Sequence, residues 1–272
     1  MNWLSKIVSE IVAWFQKEEA LVRSYGFLPS LPDFRDWLFA ETNLAKNTTE
    51  VPASVDLRSL CSPVEDQGQL GSCTSHGLAG AVQFLEVKDK DKVYADLSRL
   101  FIYYNERMIE GTTKTDSGAQ IKDGIKSLVT YGACPETEWP YTISKFKTKP
   151  SVKCYTDALK NVITSYYKVV TQNDIQTALA AGFPVVFGIP VYASFETQAV
   201  ANTGIVPMPA KGEQLLGGHC MLIVGYDTSK SWYIVKNSWG TGWGDKGYCY
   251  IPFAYISSMG SDMWVISKDK SL

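Results

Sequence analysis

The hydrophobic pattern of the chain changes its period part-way along, and this change constrains the fold more than any other feature. Apolar residues recur at helical spacing over 74–88, 97–109 and 120–131. Later segments rich in β-branched and aromatic residues predict strands over 162–170, 184–190, 221–226, 232–236 and 248–251. One helix interrupts these strands, capped by Asn173 or Asp174 and ended by Gly182. The sequence predicts an α+β protein with a helical lobe over about 70–135 and a β lobe over about 136–266.

Composition excludes several classes of protein. With 272 residues and 45% hydrophobic content, the chain can bury a substantial core. Its net charge of -2 gives no basic surface for nucleic acid, so we expect no nucleic-acid partner. A membrane-spanning helix needs about 18 consecutive apolar residues, and no such run occurs. No Cys-x-x-Cys spacing is present, so we expect neither a metal nor a cofactor.

One cysteine lies in a context that suits a nucleophile. The stretch Gln67-Gly68-Gln69-Leu70-Gly71-Ser72-Cys73 precedes the first predicted helix, so Cys73 lies at a helix N-terminus. There the helix dipole favours the thiolate, which is the reactive form of cysteine. The glycine-rich turn can place backbone N–H groups beside the sulfur. With the Gln67 side chain as a further donor, the turn forms a plausible oxyanion hole.

The histidine that would act as base is nearly fixed by counting, because the chain contains only His76 and His219. His219 follows two glycines at the start of a predicted strand, where it can approach another segment closely. The alternative for His219 is a core histidine satisfied by hydrogen bonds. For His76, one turn past Cys73, we expect a packing or surface role.

A third side chain can orient the imidazole. Asn237 lies in Lys236-Asn237-Ser238-Trp239-Gly240, between two predicted strands. Its amide oxygen can accept the second imidazole N–H and leave the other nitrogen to face the sulfur, while Trp239 shields that bond from water. Asn237 on its own could also be an ordinary residue of a glycine-rich turn.

Together these motifs resemble the papain family of cysteine peptidases. The resemblance extends over about residues 51–266 and begins at Val51-Pro-Ala-Ser-Val-Asp-Leu-Arg. It implies a bilobal fold, with a helical left domain, a β-barrel right domain and the active site in the cleft between them. By resemblance, Cys73 is the nucleophile, His219 the base, Asn237 the orienting residue and Gln67 the oxyanion donor.

The resemblance also implies where a substrate would lie. We expect Gly118, Ala119, Gly218 and Trp239 to bind the substrate, with Gly118 in the groove wall where the substrate backbone lies. A glycine at 118 lets a peptide approach closely enough to pair its main chain. The alternative is that Gly118 serves only its own turn. The side chain that the enzyme prefers in a substrate stays open.

The chain departs from the family in its cysteines. Papain-like enzymes usually carry a disulfide between a position occupied here by Leu70 and one occupied by Asp116, so the bridge is lost as a unit. Cys134 and Cys154 could form a bridge, but sequence leaves this open. The loss of the usual disulfides favours a reducing compartment, although no compartment is assigned. Thr74 replaces the usual tryptophan after the nucleophile and alters one cleft wall.

Residues 1–50 precede the peptidase region, 51–272, and are treated as a separate N-terminal region. Apolar residues between Trp3 and Phe15 share one helical face, which favours a helix that packs on its own protein over one that lies on a membrane surface. The stretch Leu-Pro-Asp-Phe-Arg-Asp is similar to the short N-terminal segments of some bacterial and viral papain-like enzymes. We therefore expect residues 1–50 to occlude the cleft, with release between about Glu41 and Val51 in a polar connector.

The sequence thus predicts a cysteine endopeptidase that forms a Cys73 thioester and is made as an autoinhibited zymogen. Its partners would be a protein or peptide substrate and its own N-terminal segment. Two alternatives remain open: a transpeptidase or ligase that uses the same groups, and a non-catalytic binding module whose cleft stays occluded.

Overall fold

The computed structural model describes residues 23–89 and 95–269. The predicted apolar helix face between Trp3 and Phe15 lies outside the described residues. Eight α-helices are present in the described ranges: α1 Asn43–Asn47, α2 Cys73–Lys88, α3 Arg99–Ile109, α4 Ile121–Thr130, α5 Val152–Ala158, α6 Gln172–Ala180, α7 Gln198–Thr203 and α8 Phe253–Met259. Short 3-10 helices occupy Phe39–Glu41, Arg58–Leu60, Ile143–Lys145, Leu159–Asn161 and Ala193–Glu196. Among the helices described, none is long and apolar enough to cross a membrane.

Seven strands form one antiparallel sheet: β1 Ser54–Asp56, β2 Ser165–Val169, β3 Val185–Tyr192, β4 Leu215–Asp227, β5 Trp232–Lys236, β6 Tyr248–Pro252 and β7 Ser261–Ser267. The order is β2-β7-β3-β4-β5-β6, and β1 pairs with β4 outside this path. In the central pair, His219 of β4 lies opposite Ile189 of β3. The sheet therefore holds the predicted base on a strand that is hydrogen-bonded on both sides.

Helix α2 forms the interface between the two lobes. Its residues are buried from Cys73 to Glu86, because the helix packs on α3 and α4 on one side and on β4 on the other. Gly77 permits the close approach to the sheet, since a Cβ there would lie 3.0 Å from Cys220 Sγ. Leu78 and Ala81 share a core cluster with Leu222 of the sheet. Cys73 and His219 are thus supplied by two elements in direct contact.

The predicted elements are confirmed with shifted ends. The first three helices and the five strands form, but β4 begins at Leu215 rather than near residue 221, since Gly217 and Gly218 pair with β3 instead of breaking the strand. The cap of α6 is Thr171 rather than Asn173 or Asp174. The Thr171 side chain accepts from the Asp174 N–H, and Asp174 accepts from the Thr171 N–H in return, which is a capping box. Strands β1 and β7 and helices α5, α7 and α8 were not predicted.

The expected polar connector over 43–50 is partly wrong, because Asn43–Asn47 forms α1. Thr42 caps this helix by accepting from the Ala45 N–H at 3.1 Å. Leu44 and Ala45 pack against the core of the β lobe, which stabilises so short a helix. The exposed stretch without a helix or strand is therefore shorter, from Thr49 to Ala53.

Candidate active site

Cys73 is the first residue of α2 and is completely buried. Burial raises the pKa of its thiol to about 11, although the backbone N–H groups of Cys220, Gly26 and Thr74 oppose this shift by stabilising the thiolate. The helix N-terminus was predicted to lower this pKa. In the closed cleft that we observe, desolvation is the larger effect, and the thiol is neutral at pH 7.

His219 and Asn237 form the predicted pair. The imidazole Nε2 lies 2.8 Å from Asn237 Oδ1, and because that oxygen only accepts, Nε2 donates. Nδ1 is buried and makes no hydrogen bond to any residue described, so it is left as an acceptor. Burial lowers the pKa of His219 to about 4. Trp239 stacks on the imidazole with a centroid distance of 4.8 Å and an interplanar angle of 25°. The ring is thus fixed in a buried position and covered by Trp239.

Gln67 lies in the turn before α2 with only 1% of its surface exposed. Its Nε2 donates to Leu70 O at 3.0 Å and to Ser24 O at 3.2 Å. Its Oε1 accepts from Ser238 Oγ at 2.6 Å, which fixes which way the amide faces. Ser238 was not singled out from the sequence, although it directly follows Asn237 in the same motif. The donor predicted for an oxyanion is already engaged by a carbonyl oxygen.

The turn before Cys73 is held without a disulfide, and all six cysteines of the chain are free thiols. Leu70 packs into a small cluster with Leu100, and the Asp116 carboxylate accepts from the Gly71 N–H at 3.1 Å and from the Tyr103 hydroxyl. A carboxylate that accepts from two donors, the Gly71 N–H and the Tyr103 hydroxyl, therefore joins the two loops that a bridge would join. Cys134 and Cys154, the other candidates for a bridge, lie together in one buried cluster.

Comparison with known proteins shows the family to which this chain belongs. A family model described as papain family cysteine protease matches residues 51–263. The chain belongs to this family. It is 40% identical to an uncharacterized peptidase C1-like protein of Acanthamoeba polyphaga mimivirus, over 90% of this chain and 87% of the viral protein. It is also 30% identical to cysteine proteinase 2 of Entamoeba histolytica, but that match spans only 63% of the amoebic protein.

Solved structures agree with this assignment. The crystal structure of xylellain, a cysteine protease from Xylella fastidiosa, is 39% identical with a TM-score of 0.84, covering 91% of this chain and 97% of that one. Digestive procathepsin L 3 of the Tenebrio molitor larval midgut, at 20% identity, shares the fold with a TM-score of 0.66 over 97% of this chain and 88% of its own. The predicted papain-like α+β fold is confirmed, and the chain is a papain-like cysteine protease.

In this papain-family chain the cleft is filled by residues 23–30, which we call the cleft segment. The Phe27 N–H donates to Gly218 O at 2.9 Å, the Leu28 N–H to Ala119 O at 3.0 Å, and the Ala119 N–H to Gly26 O at 2.7 Å. The segment thus pairs with both walls of the cleft. Arg23 adds a contact over the Trp239 ring, 4.0 Å from its centroid.

Glycines make room for the cleft segment on both walls. A Cβ on Gly188 would lie 2.1 Å from the Phe27 ring, and one on Gly118 would lie 2.1 Å from Gly26 O. A Cβ on Gly218 would lie 2.3 Å from Phe27 O. Phe27 itself is only 4% exposed. All four residues predicted to bind substrate, Gly118, Ala119, Gly218 and Trp239, therefore contact the cleft segment.

Residues 31–38 continue from the cleft segment over the outside of the protein, and we call them the surface segment. Lys122 of α4 donates to Asp33 at 3.0 Å and also to Asp36, and Lys168 of β2 lies 3.6 Å from Asp36. The Lys168 N–H donates to Trp37 O at 2.7 Å. The sequence indicated an N-terminal segment over the cleft, but not which charged residues hold it, because these pairs join positions far apart in the chain.

Proposed function

We propose that this protease is an endopeptidase made as a zymogen, in which the cleft segment is the inhibitor. Residues 1–50 are the prosegment and 51–272 the peptidase. Cys73 is the nucleophile, His219 the base, Asn237 the residue that orients it and Gln67 the oxyanion donor. Family membership supports the reaction class, and the contacts of the four side chains support their separate roles.

The reaction follows from these groups. The Cys73 thiolate attacks the carbonyl carbon of a peptide bond, and Gln67 Nε2 with the backbone amides of the turn stabilises the oxyanion. The C–N bond then breaks, and imidazolium His219 gives its proton to the leaving amine. His219 next takes a proton from water, which hydrolyses the thioester and restores the thiol. Asn237 holds Nε2 as the protonated nitrogen, so that Nδ1 carries the exchanging proton.

The single observation that carries the zymogen proposal is the position of the Ser24 carbonyl. Its oxygen accepts from Gln67 Nε2 at 3.2 Å, where the oxygen of a substrate carbonyl would be stabilised. Two residues later the Gly26 N–H stabilises the Cys73 sulfur. A substrate therefore needs the space and the hydrogen bonds that the cleft segment already uses.

The closed cleft also explains why Cys73 and His219 would be inactive in the full chain. Burial raises the pKa of Cys73 to about 11 and lowers that of His219 to about 4. Between these values both groups are neutral, whereas attack requires a thiolate and an imidazolium. Removing the cleft segment would rehydrate both groups. The thiol pKa would then fall and the imidazole pKa would rise, which favours the reactive ion pair.

Activation would require a cut in the chain between the inhibitor and the peptidase. The exposed stretch from Thr49 to Ala53 suits this cut, because it lies between α1 and β1 and outside any helix or strand. β1 would stay with the peptidase through its pairing with β4.

The experiment compares hydrolysis of an unstructured fluorogenic peptide by the full chain and by a chain that starts at Val51. We expect the shorter chain to be the faster by at least about 100-fold, and Cys73→Ala to abolish activity in both. Adding a peptide with the sequence of residues 23–38 should inhibit the shorter chain again. Equal activity of the two folded chains would contradict the zymogen, and activity that survives Cys73→Ala would contradict the nucleophile.

A further inference from the structure

His76 makes contacts that a packing or surface role leaves unexplained. It lies in the first turn of α2 and is 8% exposed. Its Nδ1 is 2.9 Å from Ser72 O, so Nδ1 carries the proton and donates, and Nε2 is an acceptor. Nε2 is buried and finds no donor among the described residues. A buried acceptor of this kind costs about 1–3 kcal/mol unless something satisfies it.

Asn237 has the complementary group, a buried donor that lacks an acceptor among the described residues. Its Oδ1 accepts from His219 Nε2 and from the Ser238 N–H, both at 2.8 Å. Its Nδ2 is buried and donates to no group in the described part of the chain. One side chain therefore offers an unused donor and the other an unused acceptor.

The two residues line the same small cavity, which lies behind the catalytic pair and has a volume of about 20 Å³. That volume is enough for one water molecule, provided that polar groups surround it. Asn237 and His76 supply a donor and an acceptor. Lys236 also lines the cavity and can supply a third contact, because its ammonium carries three N–H groups and one is engaged by Ser62 Oγ at 2.8 Å.

We infer that a buried water links Asn237 Nδ2 to His76 Nε2, and that His76 is a positioning residue for the catalytic site. The water accepts from the Asn237 amide and donates to the His76 imidazole. Together with the Ser238 N–H that donates to Oδ1, this water fixes which end of the amide faces His219. A flipped amide would present N–H groups to an imidazole nitrogen that is itself a donor, and the base would lose its orientation.

The same histidine connects this water to the nucleophile turn. His76 Nδ1 holds Ser72 O, and Ser72 precedes Cys73. The His76 ring meets the edge of Tyr141 at a centroid distance of 5.0 Å, and the Tyr141 hydroxyl donates to Gln67 O at 2.9 Å. His76 thus touches the supports of Gln67, Cys73 and Asn237, which come from both sides of the cleft. Such supporting contacts set how accurately a catalytic group is held.

The inference rests on the proposed roles of Asn237 and His219, but its first test does not depend on activity. A crystal structure of the full chain at a resolution that resolves buried waters should show density within hydrogen-bond distance of both His76 Nε2 and Asn237 Nδ2. A dry cavity, or a water bonded to only one of the two, would overturn the link.

The second test separates positioning from stability. His76→Phe keeps the ring but removes both nitrogens, whereas His76→Gln keeps an acceptor near the position of Nε2. Kinetics are measured on the full chain after activation, with open sites counted by an electrophilic inhibitor so that kcat refers to active enzyme. We expect His76→Phe to lower kcat about tenfold, which corresponds to one lost buried hydrogen bond, with KM within about twofold.

His76→Gln should recover most of the lost kcat. An unchanged kcat in His76→Phe, or an equal loss in both variants, would contradict the inference. Should His76→Phe fail to fold, the crystallographic water and the His76→Gln kinetics still decide it. If no preparation hydrolyses peptide, the proposed function fails, while the presence or absence of the bridging water is still read directly.

Discussion

Two adjoining parts of the N-terminal region contact the rest of the protein through different kinds of interaction. The cleft segment is held by backbone hydrogen bonds to Ala119 and Gly218 and by the buried Phe27 ring, which is 4% exposed. The surface segment is held by ion pairs to Lys122, and its Phe34 is 99% exposed. The cleft segment thus depends mainly on backbone pairing and a buried ring, with one ion pair between Arg23 and Glu196, whereas the surface segment depends mainly on ion pairs.

The two kinds of contact should respond to different perturbations. Loss of apolar contact should open the cleft segment, and loss of a cation should loosen the surface segment. Each perturbation is expected to shift the equilibrium between the closed and the open cleft, and about 1.4 kcal/mol changes that equilibrium tenfold.

The largest effect is expected from Phe27→Ala. Removing a buried phenylalanine ring costs about 3–5 kcal/mol, and here the cost falls on closure because the ring packs against Gly188 of the cleft wall. The rate at which a thiol reagent labels Cys73 in the full chain should rise by about 100-fold or more. Phe34→Ala is the matched control, with the same residue type in an exposed position. Equal labelling rates for the two variants would break the comparison.

Acidification is expected to have the second-largest effect and to loosen the cleft segment but not the surface segment. Burial lowers the pKa of His219 from 6.5 to about 4, so an open or unfolded state binds more protons between these values. Closure is thus fully favoured above pH 6.5 and is weakened as pH falls toward 4, by about 3 kcal/mol in the limit. Arg35 and Lys122 hold the pKa of Asp33 well below its usual range, so the ion pairs of Asp33 persist over this interval.

Hydrogen exchange, corrected for the intrinsic pH dependence of the amide rate, measures this difference. On acidification from pH 7 to 4.5 the Leu28 amide, bonded to Ala119 O, should lose protection while the Lys168 amide, bonded to Trp37 O, keeps it. If both amides lost protection together, the two segments would be one cooperative unit.

Lys122→Gln tests the surface segment and should have a smaller effect. The Lys122 side chain is 11% exposed and that of Asp36 is 6% exposed, so the variant leaves a poorly solvated carboxylate with Lys168, 3.6 Å away, as its remaining cation. We expect closure to weaken by about 2 kcal/mol, because Asp33 is nearer to solvent and Lys168 remains near Asp36. Cys73 labelling should rise about 30-fold.

The control for this variant is Lys126→Gln on the same helix. Lys126 is 48% exposed and pairs with Asp123 of its own helix, not with the surface segment. Its loss should leave the labelling rate within about twofold, as is usual for exposed pairs. An effect of Lys126→Gln as large as that of Lys122→Gln would mean that α4 stability, not the ion pair, governs closure.

Phe34→Ala should have the smallest effect, within about 0.5 kcal/mol, because surface substitutions remove little contact. Its melting temperature and labelling rate should match those of the unaltered chain. A strong rise in labelling would show that the exposed ring contributes to closure after all.

The sequence predicted the parts of the molecule whose signals are local. A short motif surrounds each of the residues Gln67, Cys73, His219 and Asn237, and apolar residues recur at helical spacing in α2. The neighbouring residues in the sequence were therefore enough to predict these positions. The contacts between distant positions did not follow. Asp116 accepting from the Gly71 N–H, and Ser24 O engaging Gln67, depend on how separate loops meet in three dimensions.

Short helices and helix caps were also difficult to predict from the sequence. α1 forms because Thr42 caps it and Leu44 packs on the β lobe, although its composition alone predicts a polar linker. Thr171 caps α6 through a reciprocal bond with Asp174, a pairing that the sequence permits but does not distinguish from a cap at Asp174. In both cases tertiary packing or side-chain geometry decides between local choices of similar energy.

The central proposal is that the N-terminal region keeps Cys73 covered through the cleft segment. The most direct measurement is the second-order rate constant for alkylation of Cys73 at pH 7, read by mass spectrometry, in the full chain and in a chain that starts at Val51. We expect a rate at least about 100-fold higher in the shorter chain, with the four other buried cysteines, Cys134, Cys154, Cys220 and Cys249, unlabelled in both. Equal rates in two folded chains would contradict it.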